Sequence, residues 1–81
     1  MGYHKRRIKK GVFGEISKIR EELEELEDAE HQGVAIMAMC ELADLYGAIR
    51  AYAKSKYKLT MEDLQKMADR TAEAFRDGSR R

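Results

Sequence analysis

Two carboxylates stand in an otherwise apolar stretch. From Val34 to Ile49 the chain reads V-A-I-M-A-M-C-E-L-A-D-L-Y-G-A-I, and Glu41 and Asp44 are its only charged residues. A helix that is apolar all round is a buried helix. Residues three apart share one helix face, so the two acids would be buried side by side. Each isolated buried charge costs several kcal/mol of hydration, and their mutual repulsion adds to it. Protonation, a basic partner or a divalent cation must compensate. The helix itself supplies no cation, since Arg50 lies roughly opposite Glu41 around the axis.

More carboxylates crowd the preceding segment: Glu21, Glu22, Glu24, Glu25, Glu27, Asp28 and Glu30. Its apolar residues Ile16, Ile19, Leu23 and Leu26 recur at helical steps. Glu21 falls nearly opposite this stripe and is expected to face water. Glu22 and Glu25 fall on its flank, one turn apart, placed to look across to a neighbouring helix. Glu24, Glu27, Asp28 and Glu30 read as a solvated face. If the two helices pack antiparallel, Glu22 and Glu25 meet Glu41 and Asp44. Four converging carboxylates, with no histidine or thiolate, suit Mg²⁺ or Mn²⁺ rather than zinc. The matching chemistry is metal-assisted attack of water on a phosphoryl group. A salt bridge from Glu41 and Asp44 to a Lys or Arg of another helix is the structural alternative.

The elements that must position these groups are all helical. The chain has no proline and few aromatic residues, and good helix formers dominate it. Helices are expected over 15–31, 34–55 and 61–76. Gly11 and Gly14 punctuate the first start, Gly33 the first end and Gly78 the last. Thr60 is the expected N-cap of the third helix, with Glu62 and Asp63 in its first turn. Leu64, Met67, Ala68, Thr71, Ala72 and Phe75 would be its buried stripe. Short connections make neighbouring helices antiparallel. The expected fold is all-α: a three-helix protomer, with or without a short extra helix, in a bundle completed by a second subunit. The chain divides into a basic arm (1–14), a helical domain (15–76) and a short tail (77–81).

Bulk properties agree. With 81 residues the chain is one small domain, burying roughly 60% of the surface its unfolded form exposes. It has one cysteine, Cys40, hence no internal disulfide, and small scaffolds without disulfides gain stability from metal or oligomerisation. A homodimer or tetramer is expected. A lone cysteine, the absence of a signal-like apolar start and a second helix too short and acidic to span a bilayer place the protein in the cytoplasm, away from membranes. The net charge of +1 hides segregation: residues 1–14 hold five bases and no acid, and residues 15–32 hold eight acids and two bases.

The string Glu21-Glu22-Leu23-Glu24-Glu25, fifteen residues, then Glu41-Leu42-Ala43-Asp44, matches the E-E-x-x-E…E-x-x-D pattern of MazG-like nucleotide pyrophosphohydrolases. The contexts KIREELEEL and ELADLYGAI also resemble the two core helices of that family, and the basic start and charged ending are similar to compact phage-encoded members. The resemblance covers about 15–53. It implies an all-α oligomer and Mg²⁺-dependent cleavage of an NTP or dNTP to monophosphate and pyrophosphate. By position, Glu22, Glu25, Glu41 and Asp44 would be its catalytic metal ligands, one of them able to orient the water instead.

Other residues carry weaker readings. Lys18, on the carboxylate flank, is a candidate for substrate phosphate, or equally for neutralising Glu15 or Glu22. Tyr52 could touch a base, and Arg76, Arg80 and Arg81 could close over a triphosphate. His4 and His31 read as surface residues and Cys40 as a small core residue. The competing function is a non-catalytic interaction module. Its basic arm would grip nucleic acid through phosphates, and its acidic helix would bind a protein.

Overall fold

The computed structural model describes His4 and residues 6–76. Three helices account for most of them: α1 (Ile16–Gln32), α2 (Ala35–Tyr57) and α3 (Met61–Arg76). The fold is all-α. The 77–81 tail, with Gly78, Arg80 and Arg81, lies outside the described residues.

Helix ends follow local chemistry. Gly33 closes α1 in the left-handed conformation (φ 74°), where the missing Cβ removes the steric penalty. The two-residue link then turns α2 back along α1. Lys58 closes α2 in the same conformation (φ 59°), its N–H reaching Lys54 and that of Leu59 reaching Ala53. α2 thus runs two residues past Ser55. At α3 the expected cap is reciprocal. Asp63 N–H donates to Thr60 Oγ1 at 3.1 Å, and Thr60 N–H donates to Asp63 Oδ2 at 2.9 Å, so two terminal amides are satisfied.

α1 and α2 form an antiparallel hairpin, and its seam is unusual. The buried apolar residues are Ala29, Ala48 and Ala53, whereas Glu21, Glu22, Glu25, Asp28 and Glu41 are also buried. The acidic flank of α1, not its apolar stripe, faces α2. Ile16 and Leu23 of that stripe are exposed. Three buried methyl groups contribute on the order of 0.8 kcal/mol each, less than the hydration lost by one unpaired buried carboxylate. The seam is therefore governed by how its charges are compensated.

Much apolar surface remains open. On α2, Ile36 (65% exposed), Met39 and Leu42 share a face with Tyr46, so the expectation that α2 is buried all round does not hold for one chain. Cys40, expected in the core, is exposed. No residue of α3 is buried. Of its expected stripe, Leu64 and Thr71 are half-buried and Met67, Ala68, Ala72 and Phe75 are exposed. These residues have the helical spacing of a buried face, but the hairpin offers α3 little to pack on. The radius of gyration is 15.0 Å, against about 12 Å for a compact domain of this length. Among the described residues no helix is long and apolar enough to cross a membrane.

Candidate metal centre

The antiparallel register brings the four expected carboxylates together. Climbing α1 from Glu22 to Asp28 means descending α2 from Asp44 to Glu41. One ligand atom each from Glu22, Glu41 and Asp44 lies within 4.8 Å of the others, as does one each from Glu21, Glu22 and Glu25. Glu41 is 1% exposed and Glu22 6%, while Asp44 opens to solvent. Asp44 is the solvent-facing member of an otherwise buried group.

The electrostatics of the site are those of a carboxylate cluster short of positive charge. Burial, then a hydrogen bond with Glu22 and repulsion from Glu22, Glu41 and Glu21, pushes the Glu25 carboxyl up to about 7. Asp44 is also raised, by desolvation beside α1 and by the charges of Glu22 and Glu41. Oε1 of Glu22 is buried with no hydrogen-bond partner. A buried acceptor left in that state costs about 1–3 kcal/mol or more. All these groups are hard oxygen donors, so the residues present fit a divalent cation such as Mg²⁺ or Mn²⁺.

Basic groups line the rim. Lys18 Nζ lies 3.2 Å from Glu21 Oε2 and 3.1 Å from Glu22 Oε2. Burial would lower its pKa, but these two carboxylates outweigh that and raise it. The neutralising role expected for Lys18 is seen with Glu22. The other two candidates for substrate contact are not brought to the cluster. Tyr52 packs edge-on against Tyr57, with ring centroids 5.9 Å apart, and Arg76 lies exposed at the end of α3.

The arm overturns three expectations, and the exposure of Asp44, expected to be buried beside Glu41, overturns a fourth. Glu21 does not face water but is 3% exposed. Its Oε1 accepts the Gly11 N–H at 2.7 Å and Lys18 at 3.2 Å. Burial would raise its pKa, yet the Gly11 amide, Lys18 and Lys10 hold it below the usual value. Asp28 does not belong to the solvated face but is buried, accepting from Gln32 at 2.9 Å. His4 is not a surface residue. Its side chain is 8% exposed, Nδ1 lies 2.9 Å from Asp28 Oδ2, and Nε2 lies 2.9 Å from Glu41 Oε2 and 3.9 Å from Glu25 Oε2. Burial lowers its pKa, but its bonds to Asp28 and Glu41 win and raise it.

Helical periodicity misses these contacts because a wheel sees only its own helix. The one available signal was charge segregation: a strand of five bases before a helix of carboxylates favours docking of the first on the second. Arg6 shows the same docking, donating to the Glu24 carbonyl at 2.9 Å and to Glu27 at 3.4 Å. Gly11 permits the close approach, because a Cβ there would run into the backbone of Ser17 and Lys18. Glu24, Glu27 and Glu30 stay at least partly exposed, as expected.

Comparison with protein-family models, characterised proteins and solved structures found no match to this chain.

Proposed function

We propose that the protein is a metal-dependent nucleoside triphosphate pyrophosphohydrolase, taking an NTP or dNTP and water to the monophosphate and pyrophosphate. The observation that carries this reading is the convergence of Glu22, Glu25, Glu41 and Asp44 from two helices, around a buried Glu22 oxygen that lacks a hydrogen bond. The MazG-like spacing of these residues supports it. Glu22, Glu41 and Asp44, with Glu25 beside them, would hold Mg²⁺ or Mn²⁺. Once bound, such an ion supplies Lewis acidity to the phosphoryl oxygens and lowers the pKa of water.

The chain's own residues do the rest. Asp44, the solvent-facing member, marks the side from which an anionic phosphate chain can enter. Lys18, at the rim, offers a cation to that phosphate while orienting Glu22. The fixed carboxylates hold the attacking water in line with the α-phosphorus and accept its proton at an oxygen. The water oxygen joins the α-phosphorus, and the bond from that phosphorus to the bridging oxygen breaks.

Copies of the chain, as dimer or tetramer, would pack through the exposed face of α2 at Ile36, Met39, Leu42 and Tyr46 and the exposed residues of α3. The competing interaction module fits less well, since Arg6, Lys10 and His4 of the arm already engage acids of the chain's own helices. Glu41→Gln and Asp44→Asn test the assignment. Changing partners of metal ligands alone costs about 10–100-fold, so each variant should lose at least about 100-fold in turnover with helicity retained. Full activity in both would refute the reading.

A further inference from the structure

The imidazole of His4 enters the carboxylate cluster in an orientation that hydrogen bonding to side chains fixes at both ring nitrogens. Asp28 Oδ2 lies 2.9 Å from Nδ1, and Asp28 is itself held by Gln32 at 2.9 Å. This arrangement, a carboxylate behind one ring nitrogen, sets the tautomer and basicity of metal-binding histidines. Nε2 faces Glu41 Oε2 at 2.9 Å, and Glu25 Oε2 lies 3.9 Å off. Ligand atoms about 2.1 Å from an octahedral ion sit about 3 Å apart when adjacent, and one atom each from His4, Glu25 and Glu41 lies within 4.8 Å of the others.

We propose that His4 Nε2, Glu25 and Glu41 form a second, mixed nitrogen–oxygen metal position, next to the all-oxygen group of Glu22, Glu41 and Asp44, with Asp28 as the residue that positions His4. The position shares Glu25 and Glu41 with the site assigned above and rests on that site binding divalent metal, not on its hydrolysing nucleotides. One imidazole with carboxylates favours Mn²⁺ and later first-row ions over Mg²⁺, which prefers oxygen and water. The arm therefore sets the metal preference of the cluster.

The test is Mn²⁺ binding to the full chain without nucleotide. It is followed by the loss of the free-ion resonance, with electron spin-echo modulation reporting coordinated nitrogen and Mg²⁺ measured by calorimetry. Wild type should show ¹⁴N modulation. His4→Ala should lose it and bind Mn²⁺ at least about 10-fold more weakly, Asp28→Asn should weaken it within the range of about 10–100-fold, and Mg²⁺ affinity should change less than about 3-fold in both. Wild type without ¹⁴N modulation would overturn the proposal, whatever the variants do. So would equal or tighter Mn²⁺ binding by His4→Ala, the result expected if the imidazolium merely competes with metal. Pyrophosphate release is scored separately, so loss of the hydrolase reading leaves this result standing, and the reverse also holds.

Discussion

At the scale of single residues, the seam between α1 and α2 is a set of buried acids whose compensation decides stability. Glu25, raised from 4.5 to about 7, binds a proton in the folded chain that it has released in the unfolded chain between those values. The native state holds more protons there, so stability falls as pH rises through that window. His4 adds the same sign, because its raised pKa gives stability that is complete below 6.5 and lost as pH rises through the folded value. In EDTA, thermal unfolding should move down between pH 5 and pH 8 by more than about 5 °C, roughly what 1 kcal/mol produces in a domain of this size. Saturating Mn²⁺ should cancel most of the decline, because a bound cation favours the ionised carboxylates. A metal-free protein equally stable at both pH values would contradict this picture of the seam. That Glu22, Glu25, Glu41 and Asp44 draw together was legible from spacing, whereas the exposure of Asp44 was not. Glu21, Asp28 and His4 were not legible, because their burial comes from an arm with no periodicity, which docks on α1 from ten residues away in sequence for Glu21 and 24 for Asp28.

At the scale of elements, helix limits were legible to within about two residues because their signals are local. Gly33 and the Thr60–Asp63 pair mark termini by local backbone and side-chain chemistry. The end of α2 was less legible, since Lys58 occupies a left-handed position where glycine or asparagine is the usual signal. That position costs a non-glycine residue roughly 1 kcal/mol, so Lys58→Gly should raise stability by about 0.5–1 kcal/mol in urea unfolding. Thr60→Ala should lower it by about 1 kcal/mol through loss of the cap. A neutral result for Thr60→Ala would mean that α3 frays independently of the hairpin. Gly11→Ala tests the arm: the new Cβ meets the start of α1, lifts the Gly11 amide from Glu21 and should weaken Lys10 and His4 docking together, visible as loss of His4 protection in imidazole NMR.

At the scale of the whole molecule, the helical class was legible from composition, but the partners of α2 and α3 were not. Apolar periodicity says that a face is covered, not whether the cover lies in the same chain. With Ile36 and Met39 more than half exposed, the single chain has an open face turned away from its acids. Sedimentation at tens of micromolar should give a dimer or tetramer. Met39→Lys with Leu42→Lys should shift it to the 9.4 kDa monomer, and a wild-type monomer would rule out the bundle. The central claim is that the carboxylate cluster holds metal for phosphoanhydride hydrolysis. Its most direct test is pyrophosphate release from a panel of NTPs and dNTPs, with Mg²⁺, with Mn²⁺ and with EDTA. The expected result is monophosphate and pyrophosphate in equal amounts, abolished by EDTA and by Glu41→Gln. Folded, oligomeric protein that releases no pyrophosphate from any nucleotide with either metal would contradict it.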